Sequence, residues 1–507
     1  MNSIILVDFG SQTCHLIGRR LKDLGIEVII VDPEDVLSAI KKYQPKGIIL
    51  SGGPSSVYEK GAPSIDKKIY SLNIPTLGIC YGWQLTAHLL GGKVVSGHKE
   101  YGPVEFKVNS KTILFDRIPR LSRVWMSHGD SVVKNPSGFI PIGKTKRIKS
   151  AAVADPKRKI FGIQFHPEVE HTTVGIKILQ NFAHQICGLQ LKKKKIAINE
   201  IIQNIKKEVG NQKVICAVSG GVDSTVAASL ISKSIGKNLY PVYIESGLMR
   251  IGTKEEVINI FQKQLKIKPI IVNAQKLFLT KLKGISDPEQ KRKIIGSLFI
   301  NLFNKEANKI TGVKFLAQGT IYSDVIESKG TKNSSKIKSH HNVGGLPEKM
   351  RLKLLEPLRN FYKDEVRIIG EKIGLPSEFV YKQPFPGPGQ AIRIMGEVTP
   401  KRLKQLHQAD KIVLDEIKNA GLYRKVFLSF PVMTGARSTA VKGDGRAMME
   451  VIALRVIKSS DIMTTDWAKL PYDLLQTIST RIINEVPGVS RVVYDITTKP
   501  PATMEWE

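Results

Sequence analysis

Three residues carry chemistry that their surroundings make usable. Cys80 lies in Gly78-Ile79-Cys80-Tyr81-Gly82-Trp83-Gln84, at a strand end that opens a helix. A nucleophile on so sharp a turn needs small neighbours, and Gly78 and Gly82 supply them. The turn also puts the thiol at a helix N-terminus, where the dipole favours thiolate. Far downstream, Gly162-Ile163-Gln164-Phe165-His166-Pro167-Glu168 offers a base and a carboxylate two residues apart. A thiol needs a base to form and hold its thiolate, and the base needs an orienting acceptor. His166 and Glu168 fit those roles. Ser51-Gly52-Gly53-Pro54, after the run Ile48–Leu50, can aim backbone N–H groups at a developing oxyanion. The other cysteines, Cys14, Cys187 and Cys216, read as buried structural thiols.

A second constellation is a loop. Ser219-Gly220-Gly221-Val222-Asp223-Ser224-Thr225 follows the apolar run Val214–Val218 and opens a helix. Two glycines let the backbone approach a ligand closely. Successive N–H groups and the helix N-terminus then form an anion nest, to which Ser219, Ser224 and Thr225 add hydroxyls. No Gly-Lys-Ser/Thr ending follows, so this is not the common nucleotide phosphate loop. As a bare pattern it is also an ordinary helix cap with Asp223 in the first turn. With a strand before it and a helix after it, the phosphate reading leads.

The elements that must position these residues alternate along the chain. Ile4–Val7, Val28–Val31, Ile48–Leu50 and Thr76–Ile79 are short Ile/Val-rich strands between helical patterns, the signature of a mostly parallel sheet flanked by helices. A helical stretch near Val174–Ile186 closes this segment, and the run Lys192 to Lys195 reads as a solvated linker. A second unit repeats the alternation, with strands at Val214–Val218, Tyr240–Ile244, Pro269–Val272 and Phe315–Gln318. Residues 328–346 are rich in Gly, Ser, Asn and Lys and read as a long loop of the lid kind. Pro384-Phe385-Pro386-Gly387-Pro388-Gly389 breaks regular structure and marks another boundary, after which a small α+β domain with a strand at Val492–Ile496 is expected. The expected class is α/β: two parallel-sheet α/β domains, 1–189 and 190–385, then a small α+β domain, 386–507.

Composition excludes other classes. At roughly 150 residues per domain, 507 residues make two to four domains. Apolar residues at 42% and charged residues at 24% are ordinary for globular chains, so disorder is not expected. Four cysteines are too few for a disulfide framework and suggest a reducing, cytoplasmic compartment. No run of about 18 apolar residues predicts a membrane span, and no basic stretch precedes the first strand as in a signal peptide. The 77 basic and 45 acidic residues leave +32, which raises nucleic acid or anionic substrates as ligands. The lysines are scattered and form no stripe with aromatics, so a basic surface bias is favoured and no nucleic-acid partner is expected.

The first set of motifs resembles the class I glutamine amidotransferases, with Cys80, His166 and Glu168 at the triad positions. The resemblance implies backbone amides of Gly53 and Tyr81 as the oxyanion holders. It places Gln84, Ser127, His128 and Asp130 at the glutamine. Trp83 stands where a Met or other apolar residue is more usual. The loop at 219–225 resembles that of the ATP pyrophosphatases, which implies ATP cleaved to AMP and pyrophosphate, with Mg²⁺ and with Asp223 as the metal-side carboxylate. Gly443-Asp444-Gly445-Arg446, Met463–Trp467, Leu470–Leu475 and the closing Tyr494–Glu507 are similar to the dimerisation domain of the GMP synthase family. That resemblance spans essentially the whole chain in the same domain order. It implies glutamine, ATP and XMP as substrates, a homodimer, no organic cofactor and no membrane partner. It also implies XMP contacts at Pro386, Gly387, Arg393, Lys499 and Glu505, and a lid near 324–346 with Asp324, Glu327, Lys329 and Lys338.

Departures from the family pattern are Ser323, Lys382-Gln383, Gln390 and Phe430–Ala436. The last leaves the role of Arg437, at the dimer or at XMP, open. Adjacent His340 and His341 do not suggest a metal pair. Two rival readings are a nucleic-acid binder on a retired amidotransferase, against which the intact triad weighs, and the same enzyme with another acceptor, against which the C-terminal motifs weigh. Glutamine hydrolysis is expected to be slow until XMP and ATP close the lid.

Overall fold

The computed structural model describes residues 3–11, 13–192, 196–324, 352–442, 445–459, 465–499 and 501–507. Glu327, Lys329, Lys338, His340 and His341 lie outside them. The described residues divide into two compact units, 3–192 on one side and 196–324 with 352–507 on the other.

The first unit is built on one nine-stranded sheet. Its strands are β1 (Ser3–Val7), β2 (Glu27–Val31), β3 (Gly47–Leu50), β4 (Thr76–Ile79), β5 (Lys93–Val108), β6 (Leu121–Lys134), β7 (Ile140–Lys144), β8 (Ala152–Asp155) and β9 (Ile160–Ile163), in spatial order β2-β1-β3-β4-β9-β8-β7-β5-β6. β2, β1, β3, β4 and β9 pair parallel. The rest is an antiparallel extension dominated by the long β5 and β6, which the sequence reading did not place. Alternate residues of one strand serve opposite faces. Ile4, Leu6, Ile49, Leu77 and Ile163 enter one core, while Ile5, Val7, Ile48, Leu50 and Ile160 enter the other. Burial on both sides explains why these strands read as continuous apolar runs.

The second unit carries five parallel strands: β10 (Lys213–Ala217), β11 (Leu239–Glu245), β12 (Ile270–Asn273), β13 (Val313–Ala317) and β14 (Lys353–Leu355), in order β12-β11-β10-β13-β14. The chain leaves β10 toward β11 and returns to its other side at β13. The C-terminal edge of β10 beside β13 is therefore the switch point, where open α/β sheets bind ligands. Beyond the Pro-Gly run, β15 (Leu428–Lys442) and β16 (Gly445–Lys458) form an antiparallel pair. The short β17 (Asp466–Trp467) and β18 (Val489–Tyr494) also pair with β16. Ile215, Val242 and Leu316 of the parallel sheet share one core with Ile394, Leu406, Ile452, Leu454 and Ile478, so the residues on either side of the Pro-Gly run pack as one body.

β18 ends two residues before the expected Ile496. The cause is the buried Arg455, which takes the Asp495 carboxylate at 2.6 Å and the Thr497 carbonyl at 3.3 Å and turns the chain off the sheet. Arg455 also donates to the carbonyls of Thr503 and Met504. This guanidinium thus helps to fasten the closing residues, where the described positions 501–507 form no strand or helix.

Candidate functional site

The thiol sits where β4 turns into α1 (Tyr81–Leu89). Cys80 has φ 50°, a left-handed value that a non-glycine residue adopts only under constraint. The constraint is close packing. A Cβ on Gly78 would come within 2.7 Å of the Gly82 carbonyl, and one on Gly82 within 2.4 Å of the Leu50 carbonyl. Gly82 N–H donates to Ser51 O and Cys80 N–H to Ile163 O, so the turn is tied to the loop after β3 and to the end of β9. The other three thiols lie in the core. Burial pushes Cys187 and Cys216 up to about 12 and Cys14 well up as well, which leaves them inert at neutral pH.

Two turns beyond β9 complete the arrangement. His166 Nδ1 lies 2.7 Å from Glu168 Oε1, and the carboxylate oxygen also accepts from Thr13 Oγ1 at 2.6 Å. An ionised acceptor on Nδ1 puts the ring proton there and leaves Nε2 for the sulfur. Burial alone would pull the imidazole down. The charges of Glu168 and Cys80 outweigh it and hold His166 well above its ordinary value. The main chain at His166 is held on both sides, its backbone N–H donating to Trp125 O and Thr172 Oγ1 donating to its carbonyl. Glu168 is wholly buried, and Arg20 Nε donates to its carbonyl at 3.0 Å. The sulfur has Ser127 O and Gln164 Nε2 each at 3.7 Å. This set can ionise a thiol, carry its proton and return it.

Gly53 lies beside the turn, where a Cβ would meet Phe9 O at 2.8 Å. Gln84, Ser127, His128 and Asp130 converge as well. Gln84 Nε2 and His128 Nδ1 both reach the Asp130 carbonyl, at 2.8 and 2.9 Å. Tyr58 donates its hydroxyl to Asp130 Oδ1 at 3.0 Å. Gln84 is thus buried and turned onto the backbone. Trp83 stays clear of the thiol, its ring packed on Gly162 and Phe139. Thr13 and Tyr58 also reach the site and no local pattern marks them, whereas Gln164 stands inside the 162–168 motif with no role assigned from the sequence.

The 219–225 loop lies at the switch point and opens α2 (Val222–Ile235). Gly220 has φ 79°, which turns successive N–H groups to one side. The hydroxyls brace the loop: Ser224 Oγ accepts from Ser219 N–H, and Ser224 and Thr225 donate to Gly221 O. Gly319, just after β13, closes on it, since a Cβ there would meet Ser224 N at 2.6 Å. Asp223 Oδ2 is 2.6 Å from Lys363 Nζ, and its Oδ1 is buried with no partner. Lys363 was missed, although it left a trace. It is the first residue of helix α3 (Lys363–Lys372), where the dipole disfavours a cation unless an acid faces it. Asp324 accepts from Ile321 N–H through Oδ2 at 3.0 Å.

Near the Pro-Gly run, Gln390 N–H donates to Leu248 O, which ties the run to the loop after β11. Arg393 is wholly buried, stacked on Phe385 and Phe430, and forms a two-pronged pair with Glu505, both bonds 2.9 Å. Lys499 exchanges backbone bonds with Thr465. Arg437 is exposed and borders a cleft of about 570 Å³ with Arg402, Glu397 and Glu450. Among the described residues no cluster of three or more His, Cys, Asp or Glu can hold a metal, and no helix is long and apolar enough to cross a membrane.

Comparison with known proteins gives a consistent picture. Residues 5–186 match the family described as glutamine amidotransferase class-I, residues 195–294 that described as NAD synthase, and residues 415–506 the GMP synthase C terminal domain. The chain is 50% identical to the glutamine-hydrolyzing GMP synthase of Clostridium novyi (strain NT), covering 99% of each. It is 50% identical to that of Brachyspira hyodysenteriae (strain ATCC 49526 / WA1), covering 100% of this chain and 99% of the relative. It is 51% identical to that of Aquifex aeolicus (strain VF5), covering 99% of each.

Proposed function

The chain belongs to the family of glutamine-hydrolysing GMP synthases, and from that premise we propose how its residues divide the reaction. The enzyme aminates XMP to GMP, drawing nitrogen from glutamine and driving force from ATP, a step of de novo guanine nucleotide synthesis. Cys80 attacks the glutamine amide carbon and passes its proton to His166 Nε2. Backbone N–H groups of Gly53 and Tyr81 receive the oxyanion. The imidazolium then returns the proton to the departing ammonia, leaving a thioester that water hydrolyses to glutamate. Glu168 holds the ring and stabilises its charge throughout.

In the second unit the 219–225 nest grips the terminal phosphates of ATP, with Lys363 as the neighbouring cation. The xanthine oxygen attacks the α-phosphorus and pyrophosphate leaves. Ammonia then displaces AMP from the adenylyl-XMP. The lone buried Asp223 Oδ1 suits the Mg²⁺ that accompanies ATP, which would offset charge on the leaving pyrophosphate. We assign Pro386, Gly387, Lys499 and Glu505 to XMP. Arg393, sealed from solvent, acts by orienting Glu505. Asp324, Glu327, Lys329 and Lys338 belong to the lid. The limits 1–189, 190–385 and 386–507, a cytoplasmic location and a homodimer complete the reading. The exposed Val441 and Met448 on the β15–β16 pair support a dimer surface there.

The observation that carries this is the full-length match at about half identity, with an ionisable thiol in one unit and a switch-point anion nest in the other. The test is the fate of ATP. With XMP and ammonium supplied, ³¹P NMR should show AMP and pyrophosphate, one each per GMP. Release of ADP and phosphate would remove the assignment of the loop.

A further inference from the structure

Glu100 is a buried acid that the chemistry above leaves unused. It lies in β5 directly across from His128 in β6. The two side chains are 4% and 1% exposed. Pairing slips between Ser96 and Glu100, so residues 97–99 stand against Gly129, and such bulges re-aim the side chains beside them.

The His128 ring is committed on one side. Its Nδ1 faces the Asp130 carbonyl at 2.9 Å, and a carbonyl only accepts, so Nδ1 carries the proton. In the neutral ring Nε2 then presents a bare lone pair. That atom is buried without a hydrogen-bond partner and lies 3.8 Å from Glu100 Oε2. Thr145 Oγ1 sits 3.2 Å from each Glu100 oxygen. An ionised carboxylate opposite a bare lone pair, both out of water, sets two acceptors against each other at a desolvation cost for each. One proton between them removes the conflict. Burial pushes the Glu100 carboxyl up against the opposing pull of Thr145 and Arg147. Burial also pushes His128 down to about 4, against the Asp130 carbonyl, with His166 adding to the fall. Both directions favour a shared proton on the acid over the ring, between Oε2 and Nε2.

We propose that Glu100 is a positioning residue for glutamine, sharing one proton with His128 Nε2 and so fixing, through His128 Nδ1, the strand that lines the glutamine subsite. The Asp130 carbonyl held by that ring also takes the Gln84 amide, and the neighbouring Ser127 carbonyl takes the Cys80 thiol. A displaced His128 shifts the substrate-facing backbone and leaves the His166–Glu168 pair in place. The inference rests on reading Ser127, His128 and Asp130 as the glutamine subsite.

The test is glutamine kinetics of two variants in the full chain. Glu100→Leu removes the donor and should raise KM for glutamine about tenfold while kcat stays within about threefold. Glu100→Gln keeps a donor, its amide N–H, and should lie within about twofold of the parent in both constants. Ammonia-driven GMP formation reports that each variant is folded. An unchanged KM in Glu100→Leu, or a Glu100→Gln as impaired as Glu100→Leu, overturns the proposal. Asp130→Asn separates the two layers. If it raises KM while Glu100→Leu does not, only the proposal falls; if neither does, the subsite reading falls with it.

Discussion

The thiol turn and the phosphate loop both put a strand end against a helix start, yet they solve opposite problems. At Cys80 the backbone is forced to φ 50°, and the working groups are buried and already paired. At 219–225 the left-handed position is a glycine, and the hydroxyls brace the loop by taking the N–H groups of Ser219 and Gly221, leaving those at the start of the helix for a ligand. The first site stores its chemistry in proton positions, which need a dry, fixed setting. The second stores it in an anion-shaped hollow, which must stay accessible. Strain on a non-glycine residue accompanies the nucleophile, and permissive backbone accompanies the phosphate site.

Substitutions can break that contrast. Cys80→Ala should lower glutamine-dependent GMP formation by roughly 10⁴–10⁶-fold and leave the ammonia-driven reaction within about twofold. Equal loss of both, in steady-state assays with each nitrogen source, would mean that the sites are not separable. Glu168→Gln should follow, with kcat for glutamine falling roughly 10²–10⁴-fold as the imidazole loses its orienting charge.

Glu168→Gln also has a stability signature. His166 is held above its unfolded value, so the pair adds stability that is whole below about pH 6.5 and fades as pH rises from there through the folded value. Melting curves across pH should show this decline in the parent chain and a flatter profile in Glu168→Gln.

Asp223→Asn should act on the other side of the contrast. It should slow GMP formation about 10–10²-fold with either nitrogen source and leave glutamine hydrolysis measured alone unchanged. A glycine pair gives the smallest and sharpest test. Gly82→Ala forces a Cβ against Leu50 O and should destabilise by about 2–3 kcal/mol in denaturant titrations. A Cβ on Gly387 meets nothing within 4 Å. Gly387→Ala should shift stability by less than about 0.5 kcal/mol and raise KM for XMP instead.

Much of this was legible because the informative residues are local in sequence. Buried parallel strands read as Ile/Val runs, and both strand-to-helix turns announce themselves by glycines around a Cys or a Ser. The long β5–β6 pair was not legible, since Lys93–Val108 mixes Lys, Ser and Gly with its apolar residues and shows no clean alternation. The partners of each site were also hidden. Thr13, Glu100 and Lys363 reach Glu168, His128 and Asp223 across 155, 28 and 140 residues, and only tertiary packing makes such pairs. Arg393 was expected at the nucleotide from its family position. Its stacking between Phe385 and Phe430 could not be read from the chain.

The central claim is that nitrogen freed at Cys80 is joined to a nucleotide activated at the 219–225 loop. Amide-¹⁵N glutamine supplied with ATP, Mg²⁺ and XMP tests it directly, by mass spectrometry of the purine product. The account predicts label in the 2-amino group of GMP, with one AMP formed per labelled purine. Label confined to ammonium, with XMP unchanged while ATP is consumed, would contradict it.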